Sequence, residues 1–391
     1  MADTARPYDV VLFGATGFTG GLTADYLAAH APAGLRWALA GRSETRLAEV
    51  RDRLGVDVPL LVADATDVDA LAEVAATTKV VATTVGPYLE YGGPLVAACA
   101  NAGTDYVDLT GEPEFVDRTY VEHNAAAEGS GARLVHCCGF DSIPHDLGAY
   151  FTIQELAREL GGEITAPVSM RGVVRAGAGF SGGTFHSALN AFARARQMKE
   201  ASSARRRLEP RPEGRRSRAV AGRPRRDGEL GYWLLPLPTI DPLVVARSGA
   251  ALPSYGPAFT YSHFAGTKTL RYAAGGAVGV TGLTLAAQVP PLRNALLKRV
   301  PQGEGPSARR REKSWFTVDF VASSNGAEVR TRVSGGDPGY TETAKMLAEA
   351  ALCLALDENP NVAGQVTTAT AMGEALLKRL QRAGITFERR A

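Results

Sequence analysis

The sequence predicts an α/β protein in which a doubly wound parallel sheet is followed by an α+β domain with a mostly antiparallel sheet. Three observations carry this expectation. Short β-prone runs alternate with helical patterns over the first 150 residues, as βαβ units require. A glycine-rich turn, Gly14-Ala-Thr-Gly17-Phe-Thr-Gly20, separates the first run from the first helical pattern. The alternation then stops, and two later runs are joined by Ser324-Asn325-Gly326, a hairpin signal. A chain of 391 residues exceeds what one core usually serves. We therefore expect a nucleotide-binding domain over 1–145 and an α+β domain over 146–339 with a basic, flexible insert at about 200–228. C-terminal helices over 340–391 are expected to pack back on the first domain.

The elements follow in order. Strand-like runs cover 8–13, 37–40, 60–63, 80–84, 106–109 and 133–136, with helical patterns at 18–30, 44–54, 67–76, 92–102 and 114–129 between them. Six strands of this kind make a Rossmann-type sheet, whose ligand crevice lies at the strand carboxyl ends. Pro144 is placed to start a helix that runs to Leu160. Strand-like segments follow at 168–175, 243–247, 258–262, 315–323 and 327–334, with a helix at 184–200. Ala344, Leu347, Ala348, Ala351, Leu354 and Ala355 share one face of a helix over 340–356. A last helix over about 371–383 stops at Gly384.

The glycine turn has the context of a dinucleotide-binding fingerprint. Gly14 allows the tight turn, Gly17 lets the backbone approach a pyrophosphate, and Gly20 lets helix and strand pack closely. Thr16, Phe18 and Thr19 complete the loop, and the N–H groups at the helix start face the phosphates. The end of the second strand selects the cofactor. NAD selection wants an acidic residue there, and this chain has Arg42-Ser43 instead. Arg42 forks to a 2′-phosphate and Ser43 donates a hydroxyl, so NADPH is expected; Ser43 also suits a plain N-cap. Asp64, ending the third strand, either meets the adenine edge or caps the 67–76 helix. The Val85-Gly86-Pro87-Tyr88 turn ends the fourth strand, near the nicotinamide end of such a site. Tyr88 there either donates a proton or packs on the ring.

Composition bounds the rest. Hydrophobic content of 45% and charge of 21% are globular values. Four cysteines, with no C-x-x-C spacing, and six histidines without metal spacing predict a reduced, cytoplasmic protein with no metal site. The polar N-terminus has no signal-peptide pattern. Residues 194–227 hold thirteen Arg and Lys against four Asp and Glu, in a chain of net charge +2. The tract lacks interleaved aromatics, so no nucleic acid partner is expected. The run 272–292 carries no charge. Its length suits a buried helix, a lipid-facing helix with peripheral membrane contact, or a spanning helix, while its glycines weigh against the last.

Candidate acids cluster at Asp141-Ser142-Ile-Pro144-His145-Asp146, just past the sixth strand. Asp141 or Ser142 is placed to cap the Pro144 helix, and Asp141 is also a catalytic candidate. His145 is the most attractive general acid by chemistry, against a purely structural role. Ser181-Gly-Gly-Thr184 offers backbone N–H groups or a tight turn. None of the twelve tyrosines has a lysine four residues on, which removes the usual short-chain reductase mechanism. No G-x-S-x-G elbow is present.

Together the Gly14–Gly20 turn, Gly139-Phe-Asp-Ser-Ile-Pro144, Ser181-Gly-Gly-Thr184 and Gly336-Asp-Pro-Gly-Tyr340 resemble the saccharopine dehydrogenase-like oxidoreductases, in the trans-acting enoyl reductase group. Val245-Ala-Arg-Ser248, Tyr255-Gly256, Thr343-Ala-Lys-Met-Leu-Ala-Glu349 and Gly384-Ile-Thr-Phe387 extend the likeness over nearly the whole chain. The resemblance implies an NADPH-dependent reductase of the C=C bond of an α,β-unsaturated acyl thioester, a hydrophobic lipid or polyketide intermediate on an acyl carrier domain. It supplies no established catalytic acid. A saccharopine-type imine reductase is the enzyme alternative and needs anchors for a zwitterion, for which Arg171, Arg175 and Arg247 are the candidates. A non-catalytic, lipid-associated protein with a vestigial nucleotide site is the other alternative. A homodimer is the expected assembly.

Overall fold

The computed structural model describes residues 6–177, 189, 193–299 and 305–391, with the side chains of 273, 277, 278, 280, 281 and 299 left out. Its first layer is a parallel sheet. β1 (Tyr8–Phe13), β2 (Trp37–Gly41), β3 (Leu60–Val62), β4 (Thr78–Thr83), β5 (Asp105–Asp108) and β6 (Arg133–Val135) stand where the β-prone runs predict them. A seventh strand joins the far edge, giving the order β14-β6-β5-β4-β1-β2-β3 with β14 at Gly364–Val366. The winding reverses between β1 and β4, which opens the crevice where ligands of such sheets bind. The helices α1 (Phe18–His30), α2 (Glu44–Leu54), α3 (Val68–Ala76), α4 (Tyr88–Tyr91), α5 (Gly93–Ala102) and α6 (Pro113–Ser130) cover its faces. Central strands buried on both sides need continuous apolar runs, and Val10, Val11, Leu12 and Phe13 are all buried.

α7 (Ile143–Glu159) leads out of this sheet into the second layer. The second sheet runs β15-β13-β12-β7-β11-β10-β9. Its strands are β7 (Val168–Ala176), β8 (Arg216–Ala219), β9 (Arg225–Arg226), β10 (Trp233–Pro236), β11 (Ala258–Thr267), β12 (Phe316–Ser324), β13 (Ala327–Gly335) and β15 (Thr386–Arg390). The sheet is mostly antiparallel, with β11 parallel to both β7 and β8. Asn325 and Gly326 take positive φ of 47° and 81° in the β12–β13 turn, as the type I′ signal requires. α7 lies tightly against β12 and β13. A Cβ at Gly148 would stand 2.6 Å from the Phe320 ring, so only glycine allows this approach.

Several expectations are corrected. Residues 243–247 form no strand but the middle of helix α9 (Asp241–Ala251). Pro242 in the first turn starts it, and packing of Val244, Val245, Ser248 and Gly249 outweighs the β-branched pair. The tract at 200–228, expected as a flexible insert, carries regular structure. It holds the end of α8 (Ala195–Leu208), then β8 and β9. Arg205 of α8 is buried with Asp117 of α6 at 2.5 Å and pairs with Glu209. The helix expected at 184–200 falls partly outside the described residues, as does the whole of Ser181–Thr184.

The uncharged run becomes α10 (Leu270–Ala287) and the start of α11 (Pro290–Arg299). Among the described side chains of α10, Leu270, Tyr272 and Leu285 are exposed, and Ala286 and Ala287 near its end are the buried ones, so the described part is not a buried helix. No helix among the described residues is long and apolar enough to cross a membrane.

α12 (Ala308–Glu312) precedes β12. α13 (Thr341–Leu356) then returns to the first domain and packs on α1, β1, β4 and β5. Its small Ala344, Ala348 and Ala351 face, together with Met346, Leu347 and Leu352, is fully enclosed. The C-terminal segment goes further than helices alone. β14 extends the parallel sheet, α14 (Thr368–Ala371) and α15 (Gly373–Arg382) follow, and β15 closes the second sheet. Asp146 knits this closure together, accepting from Ser248 Oγ at 2.5 Å, Thr368 Oγ1 at 2.7 Å and Ala369 N at 2.8 Å.

Candidate active site

The crevice at the β1/β4 switch continues into one cavity of about 2250 Å³ between the two sheets. Its near end is built by the glycine turn. Gly14 takes φ +90°, and its Cβ would stand 2.7 Å from Val85. At Gly20 a Cβ would overlap the Gly14 carbonyl oxygen and lie 2.8 Å from Thr84 Oγ1. Gly17 differs. A Cβ there meets only the Gly14 oxygen, at an ordinary 3.5 Å. The protein's own packing therefore does not demand glycine at 17, whereas a pyrophosphate drawn close to the backbone does. Gly17 is the N-cap of α1, without a side-chain cap and with no acid in the first turn. The helix thus presents unmasked N–H groups and its positive end.

The remaining predicted cofactor residues, Ser43 apart, line this cavity: Thr16, Phe18, Thr19, Arg42, Asp64, Val85, Gly86 and Pro87. Arg42 is exposed at its rim, joined by Arg46. Ser43 caps α2, accepting from Arg46 N at 3.4 Å. Asp64 does not cap α3; it turns on Thr66, accepting from its N at 2.9 Å and its Oγ1 at 2.7 Å, while Asp67 caps the helix. These Thr66 bonds hold the Asp64 carboxyl below its usual range. The Pro338–Tyr340 turn closes the cradle from the C-terminal side, with Tyr340 edge-on to Phe18 at 5.1 Å. The residues fit an NADP dinucleotide.

Of the predicted catalytic residues, Tyr88 lines the cavity with its hydroxyl committed to backbone partners. Its ring is buried, its hydroxyl donates to Thr83 O at 3.1 Å, and it accepts from Leu109 N at 3.1 Å. Desolvation, reinforced by Asp108, raises its pKa well above the usual value. Asp141 and His145 line the same cavity. Ser142 stands at the N-cap of α7, its carbonyl accepting from His145 N and Asp146 N, but no side chain makes a capping bond. Instead the loop is held by Phe140 N donating to Thr343 Oγ1 at 3.1 Å and by Phe140 against His145 and Phe316.

Two partners from distant parts of the chain join them. Asp241, the first residue of α9, places Oδ1 3.1 Å from His145 Nδ1 and Oδ2 3.7 Å from His263 Nε2 of β11. His263 Nδ1 in turn meets the Tyr261 hydroxyl at 3.1 Å. His145, Asp241 and His263 are each at most 3% exposed. This proximity sorts their protonation. Burial alone disfavours the His145 charge, but Asp241 and Asp141 outweigh it and raise the pKa. Burial works against the Asp241 carboxylate too, and His145 outweighs it, holding the acid in its charged form. Burial lowers His263 to about 3, against the pull of Asp241, so this imidazole is neutral. Asp141 is pushed up to about 7, by burial first and then by the Asp241 charge. The result is a neutral acid beside an ion pair, the separation of pKa values that acid catalysis uses.

His145, Asp241 and His263 also form a set with metal-capable atoms within 4.8 Å of one another. Two different oxygens of Asp241 face the two rings, as in a carboxylate bridging a pair of imidazoles. Asp241 and His263 were invisible as site residues in the sequence. Asp241 merely precedes the run expected as a strand at 243–247, and His263 directly follows the one expected at 258–262.

The zwitterion anchors are mostly committed elsewhere. Arg171 pairs with Asp227 at 2.9 Å and with Glu229. Arg247 pairs with Glu209 at 2.8 Å, donates to Gln365 O and stacks on Tyr120. Arg175 lines the cavity but lies over Tyr232 and Trp315 and donates to the Tyr232 hydroxyl.

A Rossmann cradle with an arginine at the ribose position, open to a shielded acid, defines an NADP-dependent oxidoreductase. The family model for the saccharopine dehydrogenase NADP-binding domain matches residues 10–135. A Mycobacterium tuberculosis protein provisionally named a trans-acting enoyl reductase is 41% identical over 421 residues, covering 99% of each chain. A Mycobacterium bovis protein named trans-acting enoyl reductase is 38% identical over 427 residues, again covering 99% of each. Apo saccharopine dehydrogenase (L-Glu forming) from Saccharomyces cerevisiae shares the fold, with a TM-score of 0.57 and 13% identity over 98% of this chain and 100% of that one. The chain belongs to the saccharopine dehydrogenase-like oxidoreductases, in the trans-acting enoyl reductase group.

Proposed function

We propose that this protein reduces the C=C bond of an α,β-unsaturated acyl thioester with NADPH, and that the acyl group arrives on a separate carrier partner. The observation that carries the reading is the Asp141–His145–Asp241–His263 array at the wall of the cavity that begins at the cofactor cradle. The names of the mycobacterial relatives support the same reaction and a partner in trans.

When bound, NADPH supplies a hydride to the β-carbon. The N–H groups at Gly17 and the Arg42 guanidinium would hold the cofactor by its phosphates, in the turn that Gly14 and Gly20 allow. Asp141, neutral up to about pH 7, donates the proton that the α-carbon needs. His145, kept cationic by Asp241, places positive charge beside the thioester oxygen as negative charge develops there. The neutral His263, fixed by Tyr261, packs 3.7 Å from the far oxygen of Asp241 and so backs the pair. Phe140, Leu237, Ile240 and Leu243 line the same region and exclude water. Arg171 and Arg247, two of the three residues expected to anchor a zwitterion, are committed to ion pairs, which weighs against the imine reductase reading.

The test is an NADPH-oxidation screen with enoyl thioesters of increasing chain length, the saturated product being identified by mass spectrometry. Turnover of enoyl thioesters is expected. Turnover of amino-acid imines without it would overturn the assignment.

A further inference from the structure

The cavity has a second end, where α8 forms its rim. Arg194, Met198, Lys199, Ser202, Ser203 and Arg206 of this segment face the cavity. Lys199 and Ser203 also line an adjoining surface hollow completed by Arg196, Glu200 and Arg207. Positions 196, 199, 203, 206 and 207 recur at helical spacing, so they share one face of α8. The opposite face is anchored. Arg205 is buried against Asp117, and Arg194 holds Glu114 at 2.6 Å. On the outward face, Arg196 has Glu200 at 2.9 Å. Lys199, Arg206 and Arg207 have no carboxylate within ion-pair distance among the described residues, and all three are exposed. The helix is thus fixed rigidly while presenting an unneutralised basic stripe that leads from the surface into the cavity.

We propose that this α8 face docks an acidic acyl carrier domain, with Lys199, Ser203 and Arg206 at the rim receiving the phosphate of its phosphopantetheine arm. The proposal rests on the reductase reading above, which requires a thioester delivered by a partner. Charge complementarity commits the surface to an acidic protein. A basic rim contiguous with the cavity suits a substrate whose one anionic group stands between an acidic carrier and an apolar acyl chain. The face offers no aromatic side chain on which a nucleic acid base could stack.

The experiment compares two substrates bearing the same crotonyl group: crotonyl-N-acetylcysteamine, and an acidic acyl carrier protein loaded with a crotonyl-phosphopantetheine arm. Arg196→Glu/Arg207→Glu alters the outer hollow alone. It should raise KM for the carrier-bound substrate at least ~10-fold and leave the small thioester's kinetics unchanged, because rim charges act through encounter with the partner. Raised salt should reproduce the loss in the unaltered protein. Direct binding of the loaded carrier, read by fluorescence anisotropy, judges docking independently of turnover. If the carrier binds and neither thioester is reduced, docking stands and the reductase reading fails. Equal losses on both substrates, or carrier binding insensitive to the charge reversal, would overturn the docking proposal. So would binding to phosphatidylglycerol vesicles that the same reversal abolishes while carrier binding persists.

Discussion

Alanine placed at Gly17 and at Gly20 should separate ligand binding from folding. At Gly17 the new methyl meets only the Gly14 carbonyl oxygen at 3.5 Å, and φ of −80° is open to any residue. The cost to the fold is that of a poorer N-cap, about 1 kcal/mol at most. The methyl instead occupies the space where a pyrophosphate must approach. Losing one charge-assisted hydrogen bond there costs about 1.5–3 kcal/mol, or roughly a 10- to 100-fold weaker NADPH affinity. At Gly20 the methyl overlaps the Gly14 carbonyl and crowds Thr84 Oγ1 at 2.8 Å. Helix and strand must separate, at about 1–3 kcal/mol, partly offset by about 0.5–1 kcal/mol of helix propensity. Tm should fall by up to about 3 °C. Thermal melts without ligand and fluorescence titrations with NADPH read the two effects separately. A Gly17→Ala protein that binds NADPH at full strength, or that melts as early as Gly20→Ala, would refute the division of labour.

Arg42→Ala should weaken NADPH roughly 10- to 100-fold while changing NADH little, since only the former carries the 2′-phosphate; equal losses in paired titrations would sink the cofactor choice. The Asp141 pKa is raised from an unfolded value of about 3.9 to about 7. Its contribution to stability is therefore full below the unfolded value and lost as pH rises through about 7. Asp141→Asn should accordingly gain Tm relative to the unaltered protein above that pH while losing turnover, and a variant that loses both is only misfolded. Activity of the unaltered enzyme should decline above about pH 7, as the acid ionises. Asp241→Asn removes the charge that raises both His145 and Asp141, so this limb should move to lower pH, with a stability loss of about 3–5 kcal/mol from the broken buried pair; an unmoved limb in the rate profile would count against the array. Dialysis against a chelator should leave Tm and NADPH affinity unchanged, and a large loss would assign a metal to His145, Asp241 and His263 instead.

The amino-acid sequence alone made the nucleotide half legible. Strand alternation, the Gly14–Gly20 turn and Arg42-Ser43 are local signals, because backbone period and glycine geometry act over a few residues. The motifs also marked Asp141 and His145, which follow the sixth strand directly. What these residues can do was decided by tertiary structure. Asp241 and His263 come from α9 and β11, about a hundred residues away, and no local pattern distinguishes them. The protonation states arise from desolvation and from neighbours brought within 3.1 and 3.7 Å, quantities that only packing creates. Packing likewise turned the Val244-Val245 pair helical, ordered the basic tract through Arg205 and Asp117, and sent β14 and β15 to opposite sheets. The opening glycines mark the candidate cofactor cradle; the closure of the chain around them brings Asp141 and His145 into the same cavity.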